Sequence, residues 1–154
     1  MMKNILSLKN ALFLLTICCI FLQSVHAANT VPKDAQIFWM EFRTAVLNDD
    51  QSKIVANTNF PFKTRGDSDS DPEREYNEAD FLKLYETIFS QFDRRYQKTV
   101  KKVIEEKELL LPKNMHGSKK IRIENLVFRK QENGNWLFTF AYVLEDDVKA
   151  LFGK

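Results

Sequence analysis

Residues Lys119–Glu145 read KKIRIENLVFRKQENGNWLFTFAYVLE, and this stretch decides the fold. Two runs rich in β-branched and aromatic residues flank the segment Glu132-Asn133-Gly134-Asn135. Asn-Gly between two such runs is the strongest short signal for a β-hairpin, because a type I′ turn needs φ > 0 at both central residues. The sequence therefore predicts a hairpin with a type I′ turn at Asn-Gly.

The second run, residues 136–143, is apolar on both of its faces. Simple alternation gives one face with Trp136, Phe138, Phe140 and Tyr142, and an opposite face with Leu137, Thr139, Ala141 and Val143. A strand of this kind is an inner strand that is covered on both sides. We expect helices on one side, and on the other side a pocket, a second chain or a further strand.

The first run is expected to form one long strand that contains a bulge. Its apolar positions shift from Ile121 and Ile123 to Leu126 and Phe128, and one extra residue near Asn125 would account for the shift.

Residues 1–27 have the composition of a cleaved secretory signal peptide. They contain no acidic residue, two lysines near the start, an apolar stretch, and the small-x-small cleavage signal Val25-His26-Ala27. The apolar stretch is shorter than the ~20 residues of a membrane span. We therefore expect a single mature domain, residues 28–154, without a membrane span and exported to the periplasm or the cell exterior. A lipid anchor on a leader cysteine is the alternative.

The mature chain is expected to carry no net charge. The sequence has 23 basic and 21 acidic residues, and the leader holds Lys3 and Lys9, which leaves 21 of each sign. This balance does not favour nucleic acid or an anionic membrane as a partner. Both cysteines lie in the leader and His116 is the only histidine after it. We expect no disulfide, no Cys/His zinc site, no thiol nucleophile and no cofactor in the mature chain.

The first half of the mature chain is predicted to be mainly helical. The spacing of apolar residues favours a first helix over about residues 34–48, and Asn48-Asp49-Asp50 supplies an N-cap for a short second helix at 51–56. Pro61 confines the next segment to an edge strand or a strand start. A polar loop is expected at residues 65–75.

A long helix has the best-marked start in the sequence. Asn77 is a good N-cap, Tyr76 and Phe81 match a hydrophobic staple, and an apolar stripe continues to about Asp93. Residues 94–111 permit either helix or strand, and we favour a short helix followed by a strand. After the hairpin, one last helical turn is expected at residues 146–152. Together these elements predict an α+β fold, with N-terminal helices packed on one face of a curved antiparallel sheet that ends in a C-terminal β-hairpin.

The order of these elements resembles the nuclear transport factor 2-like superfamily of cone-shaped domains, and its small exported bacterial members in particular. The resemblance is carried by the apolar pattern Phe38-Trp39-x-x-Phe42-Arg43-x-Ala45-Val46-Leu47, by Asn59-Phe60-Pro61-Phe62 with Gly66, by the helix that begins Asp80-Phe81, and by Gly134-x-Trp136. Members of the superfamily are enzymes, binding modules or dimerisation units, so the resemblance alone implies no single function.

An acidic loop is the one candidate metal site. Asp67, Asp69, Asp71 and Glu78 match the acidic spacing of an EF-hand calcium loop, in which oxygen ligands from a tight turn wrap the ion. Pro72 stands where that loop needs a residue tolerant of φ > 0. A solvated acidic loop is therefore the alternative that we favour.

Catalytic candidates are few. An enzyme with a cone-shaped pocket would place Tyr, Asp or His side chains where burial shifts their pKa values. Tyr142, Asp93 and Tyr85 meet this description, although tyrosines beside an apolar stripe usually supply packing area.

The function that we expect is a non-enzymatic exported binding module, of which an inhibitor or immunity-type protein is one version. It would take a small apolar ligand or a protein partner on the open face of its sheet, through Trp136, Phe138, Phe140 and Tyr142, either alone or as a homodimer. The alternative is a small hydrolase or isomerase that uses a Tyr/Asp pair in a cone-shaped pocket.

Overall fold

A computed structural model describes residues 30–93 and 95–153. The predicted signal peptide lies outside the described residues. The helices are α1 (Lys33–Leu47), α2 (Gln51–Ala56), α3 (Glu78–Ser90), α4 (Val100–Glu106) and α5 (Glu145–Phe152). The strands are β1 (Thr58–Arg65), β2 (Arg74–Tyr76), β3 (Phe92–Asp93), β4 (Lys98–Thr99), β5 (Lys120–Ile123), β6 (Leu126–Lys130) and β7 (Trp136–Tyr142).

Five of the strands form one mixed sheet in the order β2-β1-β7-β6-β5. Strand β1 runs parallel to β7, and the other neighbours are antiparallel. Strands β3 and β4 make a separate two-stranded ribbon. The α+β class is confirmed, and β7 is an inner strand, as the sequence predicted.

The predicted helix starts are confirmed by their capping contacts. The Asp50 carboxylate accepts a hydrogen bond from the backbone N–H of Lys53 at 3.1 Å, which caps α2. The Asn77 side chain accepts one from the backbone N–H of Asp80 at 2.9 Å, which caps α3. Each cap satisfies a backbone donor that has no partner within its helix.

The core lies between the helices and one face of the sheet. The ring of Phe42 on α1 contacts Phe128 and Phe138, with ring centroids 5.0 and 5.4 Å apart, and Phe138 also meets Phe62 at 4.7 Å. All four side chains are fully buried. Burial of a large apolar side chain contributes ~1.5–3 kcal/mol, so this aromatic cluster is a main source of stability.

The first run of the quoted stretch is two strands and not one bulged strand. A two-residue turn at Glu124-Asn125 joins β5 to β6, with Ile123 paired to Leu126. Glu124 has a φ of +54°, which glycine or asparagine adopts more readily than glutamate. A turn therefore stands where a bulge near Asn125 was expected. The sequence did not indicate this turn, because it contains no glycine.

The Asn-Gly hairpin is present, but its turn is not type I′. The backbone N–H of Gly134 donates to the carbonyl of Gln131 at 3.0 Å, and that of Gln131 donates to Asn135 at 2.7 Å. Gly134 has a φ of +89°, whereas Asn133 is not among the residues with positive φ. This is the three-residue hairpin loop in which a type I turn is followed by one left-handed residue.

Three further expectations were wrong. Strand β1 is an inner strand, and Pro61 is tolerated there because the register with β7 is broken between Thr58 and Lys63. The loop expected at 65–75 is present at residues 66–73, and it leads into strand β2. In residues 94–111 the short helix is present as α4, but no strand follows it, and α3 already ends at Ser90.

Among the described residues, no helix is both long enough and apolar enough to cross a membrane.

Candidate functional site

The two faces of β7 do not follow the simple alternation expected from the sequence. Phe128 and Val127 pair with Phe138 and Phe140, so Thr139 is one extra residue in β7. This bulge reverses the alternation after Phe138. The face directed at the helices carries Trp136, Phe138, Ala141 and Val143, which are all buried. The opposite face, called here the outer face, carries Leu137, Phe140 and Tyr142, which are half-buried.

The predicted grouping of Trp136, Phe138, Phe140 and Tyr142 on one face was therefore wrong. Trp136 and Phe138 belong to the core, and the indole N–H of Trp136 donates to the Asp34 carboxylate at 2.9 Å. Only Phe140 and Tyr142 remain accessible to a partner.

The outer face is strongly basic. Residues that pair directly across neighbouring strands lie on the same face, so the strand register identifies the members of the outer face. Its charged side chains are those of Lys63, Arg65, Lys120, Arg122, Arg129 and Glu75, that is, five cations and one anion. The uncharged members at its centre are Val127, Leu137, Phe140 and Tyr142. Since the 28–154 segment has equal numbers of basic and acidic residues, this face concentrates positive charge that the sequence as a whole does not.

Three of these cations have no carboxylate partner among the described residues. Lys63 pairs with Glu73 and Glu75, and Arg65 pairs with Asp69. Lys120, Arg122 and Arg129 form no ion pair with any described residue. Lys120 and Arg129 also lie directly opposite one another in the β5–β6 ladder. Like charges in that position are destabilising.

Guanidinium groups cover the aromatic centre of the face. Arg122 lies 4.8 Å from the centroid of the Tyr142 ring, and Arg65 lies 5.7 Å from it. The rings of Phe140 and Tyr142 meet edge to face at 4.9 Å. Cation–π contacts and arginine stems thus take the place of a second layer of structure.

A polar pocket of about 520 Å³ opens at one end of the outer face, and we call it the end pocket. It brings together two of the three catalytic candidates, Tyr142 and Asp93. Its other lining residues are Arg65, Asp67, Asp69, Gln91, Phe92, Arg95, Val100, Arg122, Glu124, Asn125 and Leu144.

Asp93 is held as one half of an ion pair. Arg95 donates to its two carboxylate oxygens from Nε at 3.2 Å and from Nη2 at 2.8 Å, and the backbone N–H of Arg95 adds a third hydrogen bond at 2.8 Å. The hydrogen bonds from Arg95 hold the pKa of Asp93 below its ordinary value. A carboxylate with a lowered pKa is a weak general base at neutral pH. The pocket is therefore better suited to binding than to proton abstraction.

Glu124 extends this ion pair across the pocket. Its carboxylate lies 3.2 Å from Arg95 and 3.5 Å from Lys107, and its side chain is almost fully buried. The negative charge of Glu124 raises the pKa of the nearby Tyr96 hydroxyl. With Asp93, these contacts fix the β3–β4 ribbon against the β5–β6 turn.

Tyr85 lies at a different place from the other two candidates. Its hydroxyl donates to the Asp49 carboxylate at 3.0 Å, and Lys101 binds the same oxygen at 2.6 Å. Burial, and after it the bond to Asp49, raises the pKa of Tyr85. These contacts anchor α3 to the α1–α2 connection and join Tyr85, Asp49 and Lys101 in one hydrogen-bonded cluster.

The structure does not assemble the calcium candidate. Asp69 pairs with Arg65, while Asp71 accepts a hydrogen bond from the backbone N–H of Ser68 at 2.9 Å. Glu78 is the first residue of α3. No three His, Cys, Asp or Glu side chains within the described ranges form a group that could hold a metal ion. The Asp71 carboxylate instead closes the loop against Gly66, where a Cβ atom would lie 2.1 Å from it.

Sequence reasoning missed most of the charged residues of the site. The alternation Lys120-Ile121-Arg122-Ile123 was a usable signal, because it predicts a strand with one apolar and one basic face. No comparable signal joined Asp93 to Glu124, since their contact through Arg95 depends on a turn that the sequence did not mark.

Comparisons with protein-family models, with curated proteins and with solved structures find no match to this chain. The similarity to the nuclear transport factor 2-like superfamily therefore stays a prediction.

Proposed function

We propose that the protein is an exported, non-enzymatic binding module that takes an acidic protein partner on the outer face of its sheet. One observation carries the proposal: the half-buried rings of Phe140 and Tyr142 share a sheet face with five basic side chains, and three of these have no carboxylate partner among the described residues. Arginine and tyrosine are enriched at binding hot spots, and a concentrated positive patch steers an acidic partner towards them.

The close approach of Lys120 and Arg129 supports a role in binding. A facing pair of like charges costs folding stability, so its presence is easier to explain if an acidic group from outside neutralises it. Arg122 fits the same role, because its guanidinium has an aromatic contact but no carboxylate partner among the described residues.

A protein partner fits this face better than the other ligands considered. A small apolar ligand needs an apolar cavity, whereas Trp136 and Phe138 are packed in the core. Single-stranded nucleic acid needs open rings for base stacking, and the Tyr142 ring already contacts two guanidinium groups. Export, which is proposed from residues 1–27, would also separate the protein from most nucleic acid.

Binding of a fluorescein-labelled glutamate–tyrosine copolymer, followed by fluorescence anisotropy, tests the proposal. Charge reversal at Lys120→Glu with Arg129→Glu is expected to weaken binding at least about tenfold, because both positions lie on the outer face. The matched control, Lys113→Glu with Lys149→Glu, makes the same change in net charge at positions outside this face and is expected to alter binding less than about twofold.

Two outcomes would contradict this function. Equal losses in both double variants would mean that only net charge matters. Tighter binding of a single-stranded oligonucleotide than of the copolymer would assign the face to nucleic acid instead.

A further inference from the structure

The end pocket continues into a second cavity of about 570 Å³, which we call the apolar groove. The two cavities share Gln91, Phe92 and Leu144. The groove then passes between the end of α3 and the outer side of α5, where its other lining residues are Thr87, Ser90, Asp147, Ala150 and Leu151. Volumes of this size are typical of ligand sites, which run from ~300 to ~1,000 Å³.

Large apolar side chains stand exposed along the groove. Phe92 is 52% exposed, Leu144 40% and Leu151 43%. None of these residues is on the outer face of the sheet, so the groove is a separate surface. Exposed apolar side chains along one cavity offer contact area to an apolar ligand.

Polar atoms without partners are concentrated in the end pocket. Within the described parts of the chain, five buried side-chain nitrogen or oxygen atoms have no hydrogen-bond partner, and three of them belong to pocket residues. They are the Oε1 atom of Gln91, the Oδ1 atom of Asn125 and the Nε atom of Arg65. Asn125 is only 9% exposed. A buried polar atom without a partner is destabilising, so these three side chains would gain hydrogen bonds if they rotated towards a polar ligand in the pocket.

Three guanidinium groups and four carboxylates line the end pocket. Asp93 and Glu124 are held by Arg95, and Asp69 is held by Arg65, which leaves the Arg122 guanidinium and the Asp67 carboxylate without an ion pair among the described residues. Arg122 has no carboxylate partner among the described residues, and its Nε atom donates only to the backbone carbonyl of Glu124, at 3.1 Å. A carboxylate is the natural partner for such a guanidinium, since it accepts two hydrogen bonds side by side.

We propose that the end pocket and the apolar groove together bind the free C-terminal end of an apolar peptide. The terminal carboxylate pairs with Arg122, and peptide N–H groups donate to the side-chain oxygens of Gln91 and Asn125. Apolar side chains of the peptide lie along Phe92, Leu144 and Leu151. A long-chain carboxylate fits less well, because it offers no N–H donor for the two amide oxygens.

The end pocket and the outer face share Arg122, but Leu151 lies outside that face and Lys120 and Arg129 lie outside the pocket and the groove, so the two proposals can fail separately. The probe is the tetrapeptide N-acetyl-Gly-Leu-Phe-Leu with a free carboxylate, compared by calorimetry with the same peptide as its C-terminal amide and with laurate. The free acid is expected to bind at least about tenfold more tightly than the amide, because the amide cannot form the ion pair.

Two variants locate the binding. Leu151→Ser is expected to weaken binding of the free acid about tenfold, since it removes apolar contact area from the groove. The matched control is Leu109→Ser, at a leucine that is 57% exposed and lies outside both cavities, and it is expected to leave binding unchanged. Arg122→Gln is expected to abolish the preference for acid over amide, a ratio that a purely structural role would not alter.

Three results would overturn the inference. They are an equal affinity for acid and amide in the unaltered protein, equal effects of Leu151→Ser and Leu109→Ser, and tighter binding of laurate than of the peptide.

Discussion

Strand β7 carries a pair of aromatic residues on each of its faces, and the two pairs are covered in different ways. On the inner face, Trp136 and Phe138 are packed among the rings of α1, α3 and neighbouring strands. On the outer face, Phe140 and Tyr142 are half-buried, and arginine side chains lie against Tyr142. Thr139 separates the two pairs as a bulge.

The difference shows that an apolar sheet face does not need a second layer of structure to be shielded from water. Arginine and lysine cover apolar surface with their stems while their charged ends stay in solvent. Such a cover is charged and open to solvent, whereas the inner cover is buried and apolar. The inner face is therefore expected to determine folding stability, and the outer face is expected to determine what the protein binds.

The largest effect is expected from a matched pair of substitutions on the two faces. Phe138→Ala should lower the free energy of unfolding by ~3–5 kcal/mol, because it leaves a cavity in a fully packed core. Phe140→Ala should lower it by ~1–2 kcal/mol, because the removed ring is only half-buried. Urea unfolding of both variants measures the difference.

Equal losses in the free energy of unfolding for Phe138→Ala and Phe140→Ala would contradict the distinction between the two faces. They would mean that the outer face is as tightly packed as the core. A larger loss from Phe140→Ala would place the main core on the outer side of the sheet.

The sequence predicted the fold wherever local signals agreed with tertiary packing. The Asn77 and Asp50 caps and the apolar stripes of α1 and α3 were sufficient to place the helices. The sequence failed where one residue changes the register. Thr139 has no feature that marks it as a bulge, and the Glu124-Asn125 turn lacks glycine. These irregularities are set by contacts between strands, which local patterns do not contain.

The candidate site was predictable only in part, for the same reason. Tyr142 and Asp93 were identified as chemically interesting residues, and the structure places both in the end pocket. The ion pairs of Arg95 with Asp93 and Glu124 were not predictable. They link the short β3–β4 ribbon to the Glu124-Asn125 turn, and no glycine marks that turn in the sequence.

A second, smaller effect is expected from this ion pair at the end of the outer face. Asp93→Asn should destabilise the protein by ~1–2 kcal/mol at neutral pH, because a hydrogen-bonded charge is lost while Arg95 remains. The folded state lowers the pKa of Asp93 from its ordinary value of 3.8, so the carboxylate stabilises the fold above about pH 4. That contribution is lost as the pH falls below 3.8.

Urea unfolding of both proteins between pH 7 and pH 2 tests this dependence. The difference between wild type and Asp93→Asn should shrink in the acid range. A difference that stays constant down to pH 2 would show that the carboxylate charge contributes nothing, and that the substitution acts through packing.

The smallest effect on stability is expected at Arg129. There a substitution should raise the free energy of unfolding, whereas substitutions on the inner face should lower it. Arg129 is exposed, it has no ion pair among the described residues, and it faces Lys120 across the β5–β6 ladder. Arg129→Glu replaces a repulsive pair with an attractive one, so the free energy of unfolding should rise by up to ~0.5 kcal/mol. The same substitution should weaken binding of the glutamate–tyrosine copolymer.

A substitution that raises the free energy of unfolding but weakens binding is expected on a surface that serves recognition. No inner-face residue should behave in this way, because substitutions there lower stability before they alter any partner. Arg129→Gln serves as the intermediate variant, with the repulsion removed and no new attraction added. A fall in stability of more than about 1 kcal/mol in Arg129→Glu would instead show that this side chain supports the fold, since exposed positions without such a role usually change by less than ~0.5 kcal/mol.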